Sequence, residues 1–74
     1  ARSGKLNEAI KNFREVAAAY PGSARLQDEF GELLARASKY SEALAQFDKA
    51  VAVDPSDEAP RRNRALVLRQ IAGR

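Results

Sequence analysis

Apolar residues recur along the chain at the spacing of one face of an α-helix. In three segments they stand at positions i, i+4, i+7 and i+8, and the first two segments add i+11. The residues are Ala9, Phe13, Val16, Ala17 and Tyr20, then Leu26, Phe30, Leu33, Leu34 and Ala37, then Ala43, Phe47, Ala50 and Val51. No stretch alternates apolar and polar residues with period two for long enough to favour a β-strand. The pattern therefore predicts an all-α chain.

Prolines and capping residues divide this pattern into separate helices. Pro21 and Pro55 are expected to end the helices before them, because proline lacks the amide donor and disfavours helical geometry in the preceding residue. Pro60 falls in a predicted first turn, where the missing donor costs little. The side chains that can accept free amides at helix starts are those of Asn7, Ser23, Ser41 and Asp57.

These signals predict about four helices, at residues 7–20, 24–37, 41–53 and 58–72. The loops between them are only three or four residues long. Each helix is therefore expected to pack antiparallel to the one before it.

The chain also repeats itself with a period of 34 residues. Identical pairs at that spacing include Lys5/Lys39, Glu8/Glu42, Ala9/Ala43, Phe13/Phe47 and Pro21/Pro55. Chance matches are common in an alanine-rich chain, but paired phenylalanines and prolines are hard to obtain in that way. The repeat predicts stacked helical hairpins that share one apolar core.

The residues inside the period resemble the tetratricopeptide repeat, whose signature is W-x2-L-G-x2-Y, then A-x3-F, then P, over about 34 residues. The positions that carry the resemblance are Gln27, Phe30, Gly31, Leu34, Ala43, Phe47, Ala50 and Pro55. The chain departs from the signature in two places. Gln27 replaces the tryptophan, and Arg61 and Arg64 stand where the family usually has large apolar residues.

The resemblance implies a right-handed α-α superhelix, a solenoid of antiparallel helix pairs, in a single domain over residues 1–74. Residues 24–57 would be a complete repeat and residues 1–21 the second half of the repeat before it. Residues 58–74 would be the first half of a further or capping repeat. Gly31 would be small because the two helices of one pair cross closely there.

The resemblance also implies a function, since proteins of this family bind extended peptides or partner helices in a concave groove without performing chemistry. The groove is lined by the first helix of each pair. Carried over position by position, its residues would be Arg25, Asp28, Glu29, Glu32 and Arg36 on the second predicted helix and Arg62, Asn63, Leu66, Arg69 and Gln70 on the fourth. Such charged side chains also have a structural explanation, because they can pair across adjacent helices. The favoured hypothesis is an adaptor or scaffold that binds a protein or peptide.

Composition excludes most enzyme classes. The 74 residues contain no cysteine and no histidine, so the usual zinc ligands and the common nucleophile and general base of hydrolases are missing. We expect no enzymatic activity, no cofactor and no metal. Asp28 and Glu32, four apart on one helix face, are weak candidates for a cation or an acid/base pair, because no glycine-bearing loop accompanies them.

The net charge of +3 is unevenly distributed. Residues 1–23 carry +2, residues 24–57 carry −3 and residues 58–74 carry +4. The basic end contains the cluster RRNR at residues 61–64, and such clusters can neutralise phosphates. Its charges spread around the helix and no aromatic residue is interleaved for base stacking, so nucleic acid is the least favoured of the binding hypotheses.

Self-association is the alternative to peptide binding. An array of helical hairpins needs about three repeats to be stable alone, and this chain has about two. The face formed by Ile10, Phe13 and Val16 would lack its usual neighbour. We expect it to be covered by further sequence or by a second copy of the chain.

Membrane insertion is not predicted, because no run approaches the roughly eighteen consecutive apolar residues of a membrane span. We therefore expect a soluble chain; the cytoplasm is slightly favoured, and the sequence leaves the compartment open. The sequence begins with Ala1 rather than methionine, which suggests processing or excision from a longer protein.

Overall fold

The computed structural model describes residues 2–73 and places them in four α-helices. They are α1 (Arg2–Ala19), α2 (Ala24–Arg36), α3 (Tyr40–Val53) and α4 (Glu58–Ala72). No strand occurs within that range, so the predicted all-α class is confirmed. The predicted helix boundaries agree to within one residue except at the start of α1, which lies five residues earlier.

Two of the predicted caps are confirmed. The Ser23 hydroxyl oxygen accepts a hydrogen bond from the backbone N–H of Leu26 at 3.2 Å, and this bond caps α2. Oδ1 of Asp57 accepts from the N–H of Ala59 at 3.0 Å and caps α4 in the same way. Each bond satisfies one amide that has no partner inside its helix.

The other two predicted caps are wrong. Asn7 lies inside α1, because the helix continues back to Arg2 and no proline interrupts it. Ser41 lies inside α3, whose N-cap residue is Lys39 and whose start has no side-chain cap.

The turn between α2 and α3 explains why no polar cap is found at the start of α3. Ser38 adopts a left-handed conformation with φ of 62°. Its N–H donates to the carbonyl of Ala35 at 2.9 Å, and the N–H of Lys39 donates to the carbonyl of Leu34 at 2.8 Å. This is the Schellman arrangement of a helix end. The chain therefore passes directly from the end of α2 into α3.

The helices stack in chain order, with α2 at the centre. It contacts α1, α3 and α4, while α3 contacts α2 and α4. The apolar core runs through all four helices and consists of Ile10, Ala17, Phe30, Leu34, Ala43, Phe47 and Val67. The result is a flat molecule with Cα extents of 38 × 33 × 14 Å. None of the described helices combines the length and apolar character needed to cross a membrane.

Helices α2 and α3 approach each other closely at Gly31 of α2, as the sequence predicts. A Cβ atom at this position would lie 2.5 Å from Cε1 of Phe47 on α3. Phe47 is only 1% exposed, so its ring has no free space into which it could move. The close spacing of α2 and α3 is therefore possible because Gly31 has no side chain.

We expect Gly31→Ala to lower the free energy of unfolding by about 1–3 kcal/mol, because the added methyl group overlaps the Phe47 ring. The matched control is Gly4→Ala in α1, where a Cβ would meet nothing within 4 Å. It should raise the free energy of unfolding by about 0.5–1 kcal/mol through helix propensity alone. Equilibrium urea denaturation measures both changes. An unchanged or higher stability of Gly31→Ala would contradict this account of the crossing.

Candidate binding groove

The polar faces of α2 and α4 lie side by side and are joined at one residue, Asn63. Its Nδ2 donates to Oδ1 of Asp28 at 3.0 Å and to Oε2 of Glu32 at 2.9 Å. The two acceptors lie one turn apart on α2, and both protons of the amide group are used. The ten residues predicted for the groove thus lie on two adjacent helices, which Asn63 joins.

The remaining predicted residues on α2 are Arg25, Glu29 and Arg36. Nε of Arg25 contacts Oε2 of Glu29 at 3.3 Å, an i,i+4 ion pair within one helix. An exposed pair of this kind contributes about 0–1 kcal/mol. Arg36 is exposed at the last turn of α2. All three acidic residues predicted for the groove on α2 therefore have a hydrogen-bond or ion-pair partner within the chain.

The predicted residues on α4 form an exposed stripe. Arg62, Leu66 and Arg69 are exposed and follow the i, i+4, i+7 spacing of one helix face. Leu66 is 50% exposed although it is a large apolar residue. A shallow hollow of about 420 Å³ is lined by Leu66, Arg69, Gln70 and Gly73. This stripe offers a partner one apolar contact between two cations.

The basic cluster at residues 61–64 is partly occupied by contacts within the chain. Nε of Arg64 contacts Oδ1 of Asp48 on α3 at 2.7 Å, and Asn63 is bound to α2 as described. Only the arginines at 61 and 62 within the cluster have no such contact in the described part of the chain. Across residues 2–73, no three potential ligand side chains come together to hold a metal ion.

The face predicted for self-association is largely used inside the chain. Ile10 is 4% exposed and belongs to the apolar core. The ring of Phe13 stacks on that of Phe30 with 5.7 Å between centroids and 3° between planes. Val16 is 45% exposed. The prediction that this face lacks a neighbour within the chain is wrong for Ile10 and Phe13, because α1 packs these side chains onto α2. Its cover by further sequence or by a second copy of the chain stays a prediction.

Sequence reasoning missed a cleft on the side of α2 away from the groove. It lies between α1 and α3, has a volume of about 440 Å³ and is called the α1–α3 cleft below. Its lining residues are Arg14, Ala17, Ala18, Pro21, Gln27, Phe30, Gln46, Lys49, Ala52 and Val53. The signal that could have found it is Gln27, which stands where the repeat signature has the much larger tryptophan.

Comparison with known proteins gives one match. The family model described as tetratricopeptide repeat matches residues 1–58 and, in a second alignment, residues 29–72. Together the two alignments cover residues 1–72. No curated protein and no solved structure matches the chain.

We expect Asn63→Asp to destabilise the chain by about 1 kcal/mol more than Asn63→Ala. Both variants lose the hydrogen bonds to α2, but the aspartate also places a third carboxylate beside Asp28 and Glu32. Added salt should reduce the difference in stability between the two variants, because part of that difference is charge repulsion near the surface, which salt screens. Gln70→Glu, on the exposed part of α4, is the control for the charge change and should have a smaller effect. Urea denaturation at low and high salt tests this, and equal stability of both Asn63 variants at low salt would contradict it.

We expect Phe13→Ala to lower the free energy of unfolding by about 2–4 kcal/mol, because the stack on Phe30 is lost. Val16→Ala, one turn further on an exposed position, should change it by less than about 0.5 kcal/mol. The loss for Phe13→Ala should not depend on protein concentration, since the contact lies within one chain. A concentration-dependent loss measured by urea denaturation would instead indicate an interface between copies.

Proposed function

This chain belongs to the tetratricopeptide repeat family, and on that premise we propose that it is a non-catalytic module that binds a protein partner in the groove between α2 and α4. Repeats of this family generally mediate protein–protein interaction. The observation that carries the proposal is the double hydrogen bond of Asn63, which fixes the two walls of the groove relative to each other.

The fixed position of α4 against α2 supports binding of a flexible partner in the proposed groove. The Asn63 contacts to Asp28 and Glu32 and the packing of α4 on α3 hold the walls in place. The entropy lost on binding then comes mainly from the partner, because the groove itself needs little ordering. A few anchoring contacts are enough for a weak but specific complex.

The charges on the α4 side of the groove favour an acidic partner segment that lies along α4, away from the carboxylates of α2. On α2, Glu29 is paired with Arg25, whereas Asp28 and Glu32 are bound to the neutral amide of Asn63 and keep their negative charge. On α4, the guanidinium groups of Arg62 and Arg69 have no ion pair within the described residues. A partner carboxylate would form charge-assisted hydrogen bonds with either arginine.

The spacing on α4 sets the length of the segment that it would bind. Arg62 and Arg69 are seven residues apart, about 10.5 Å along the helix axis. A segment in the polyproline II conformation rises about 3.1 Å per residue with three residues per turn, so two acidic side chains three residues apart point the same way and span about that distance. Leu66 lies between the arginines and would contact an apolar side chain between the two acidic ones. The proposed partner is therefore an acidic segment with one apolar anchor.

We expect selection from a random peptide library on the immobilised chain to enrich peptides with two acidic residues about three positions apart and an apolar residue between them. Binding of an enriched peptide, measured by fluorescence anisotropy, should fall at least about tenfold in Arg69→Glu, a change of about 1.4 kcal/mol. Raising the salt concentration should weaken binding to the unmodified chain, because the contacts are exposed ion pairs.

The matched control is Lys11→Glu, which makes the same charge reversal on an exposed position of α1, a helix without contact to α4. It should leave binding of the peptide within about twofold of its original value. Enrichment of basic peptides, or equal losses in both variants, would count against binding in this groove.

A further inference from the structure

The first and last helices of the described chain each expose apolar side chains on one flank. On α1 these are Val16 and Tyr20, and on α4 they are Leu68 and Ile71. Among the described helices, α1 packs on α2 alone, and α4 packs on α3 and α2. Each of the two helices therefore has an apolar flank that no helix of the described residues covers.

The 34-residue period relates these two helices to the central pair. α4 corresponds to α2, because the two helices begin 34 residues apart, at Glu58 and Ala24. α1 corresponds to α3, because these helices end 34 residues apart, at Ala19 and Val53. Within the chain, α2 and α3 pack on each other and form one complete repeat. Each of the two outer helices is therefore one half of such a pair, and the two halves are different.

The uncovered flanks contain the counterparts of residues that are buried in the central pair. Leu34 of α2 is fully buried, and its counterpart Leu68 on α4 is exposed. Ala50 of α3 is also fully buried, and its counterpart Val16 on α1 is exposed. The flank of α4 thus corresponds to a face that binds a helix, and the flank of α1 corresponds to the helix that is bound.

We propose that α4 of one chain packs against α1 of a second copy of the chain, so that the two helices form a pair of the same kind as α2 and α3. The face around Leu68 would then be covered by the face around Val16 of the second copy. The contact is heterologous, because it joins two different faces, and each added copy presents the same free face again. The product is a head-to-tail stack of chains.

The charges at corresponding positions support a second copy as the occupant. Inside the chain, Gln27 of α2 and Lys49 of α3 line the same cleft. Their counterparts across the proposed contact are Arg61 of α4 and Glu15 of the second copy. An arginine and a glutamate thus meet at the positions of a neutral and a charged side chain, and opposite charges favour this pairing of faces.

A second pair of counterparts gives the same result. Inside the chain, Asn63 of α4 binds Asp28 of α2. One repeat further, these positions are occupied by Glu29 of the second copy and Arg62 of α4. The hydrogen bond inside the chain is thus replaced by an opposite-charge pair between copies.

One pair of counterparts has like charges. The ion pair of Arg14 and Glu42 inside the chain corresponds to Asp48 and Glu8 of the second copy, which are two carboxylates. Nε of Arg64 already contacts Oδ1 of Asp48 at 2.7 Å, so this arginine offsets most of the repulsion.

The contact between copies is weaker than the contact between α2 and α3. Ala65 stands on α4 where α2 has Gly31, so a second copy cannot approach α4 as closely as Phe47 of α3 approaches Gly31. We therefore expect monomers at the micromolar concentrations of urea denaturation and stacks at higher concentration.

The stack goes beyond the proposed function and does not depend on it. Neither Leu68 nor Val16 is one of the ten groove residues, and both lie outside the stripe that would bind the acidic segment. The two proposals can therefore fail independently.

The first test uses two variants that each block one face, Leu68→Asp on α4 and Val16→Asp on α1. Analytical ultracentrifugation of the unmodified chain up to about 1 mM should show a mean mass that rises past that of a dimer. Each variant alone should stay monomeric. An equimolar mixture of the two should form dimers and nothing larger, because only one intact face of each kind remains available.

The matched control is Val53→Asp, which makes the same change at an exposed apolar position of α3, outside both flanks. It should associate as the unmodified chain does. A chain that stays monomeric at about 1 mM would leave these flanks to a different partner and would overturn the proposal. Dimers formed by either blocked variant alone would also overturn it, because they would indicate a symmetric contact.

A charge exchange tests the pairing of Arg61 with Glu15. Arg61→Glu and Glu15→Arg should each weaken association about fivefold, and an equimolar mixture of the two variants should recover most of the loss. Neither position has to be buried for the chain to fold, since both are exposed. Equal association of the separate variants and of their mixture would overturn the assignment of these two faces.

Discussion

The contact between Gly31 and Phe47 controls the arrangement of the whole chain. Because glycine has no Cβ atom, α2 can approach the buried Phe47 ring on α3 at Gly31; any other residue there would overlap the ring. This approach fixes how α2 is rotated about its own axis. One face of α2 then points toward α4, where Asn63 binds its carboxylates, and the opposite face lines the α1–α3 cleft. The groove and the cleft therefore both depend on the position of one central helix.

The helices could be predicted from the sequence because the signals that define them are local. Pro21 and Pro55 follow the ends of α1 and α3, and Ser23 and Asp57 cap α2 and α4 as their positions in the chain indicate. The helix crossing was also predictable, since the repeat signature has a small residue at the position of Gly31, where two helices pack closely. The start of α1 was not, because nothing in the sequence around Asn7 ends a helix, and a residue that can cap also occurs inside helices.

The contacts that define the candidate sites could be predicted only in part. The strip on α2 and α4 followed from the repeat, but the bonds from Asn63 to two carboxylates depend on distances between helices that no local pattern gives. Ile10 and Phe13 were misjudged for the same reason. Their helix face is apolar in the sequence, and only the packing of α1 on α2 shows that the chain itself covers it.

Gln27 is a buried position at which this chain differs from the repeat signature, which has tryptophan there. A large apolar residue at this position would fill space between helices, whereas glutamine is smaller and brings two polar atoms into the core. One of them is satisfied by the carbonyl of Pro21, which fixes the turn after α1 against α2. The other has no partner within the described residues, although burial of an unpaired acceptor costs about 1–3 kcal/mol. Gln27 therefore stabilises the turn after α1, and its unpaired oxygen is the energetic cost of placing a polar side chain in this apolar core.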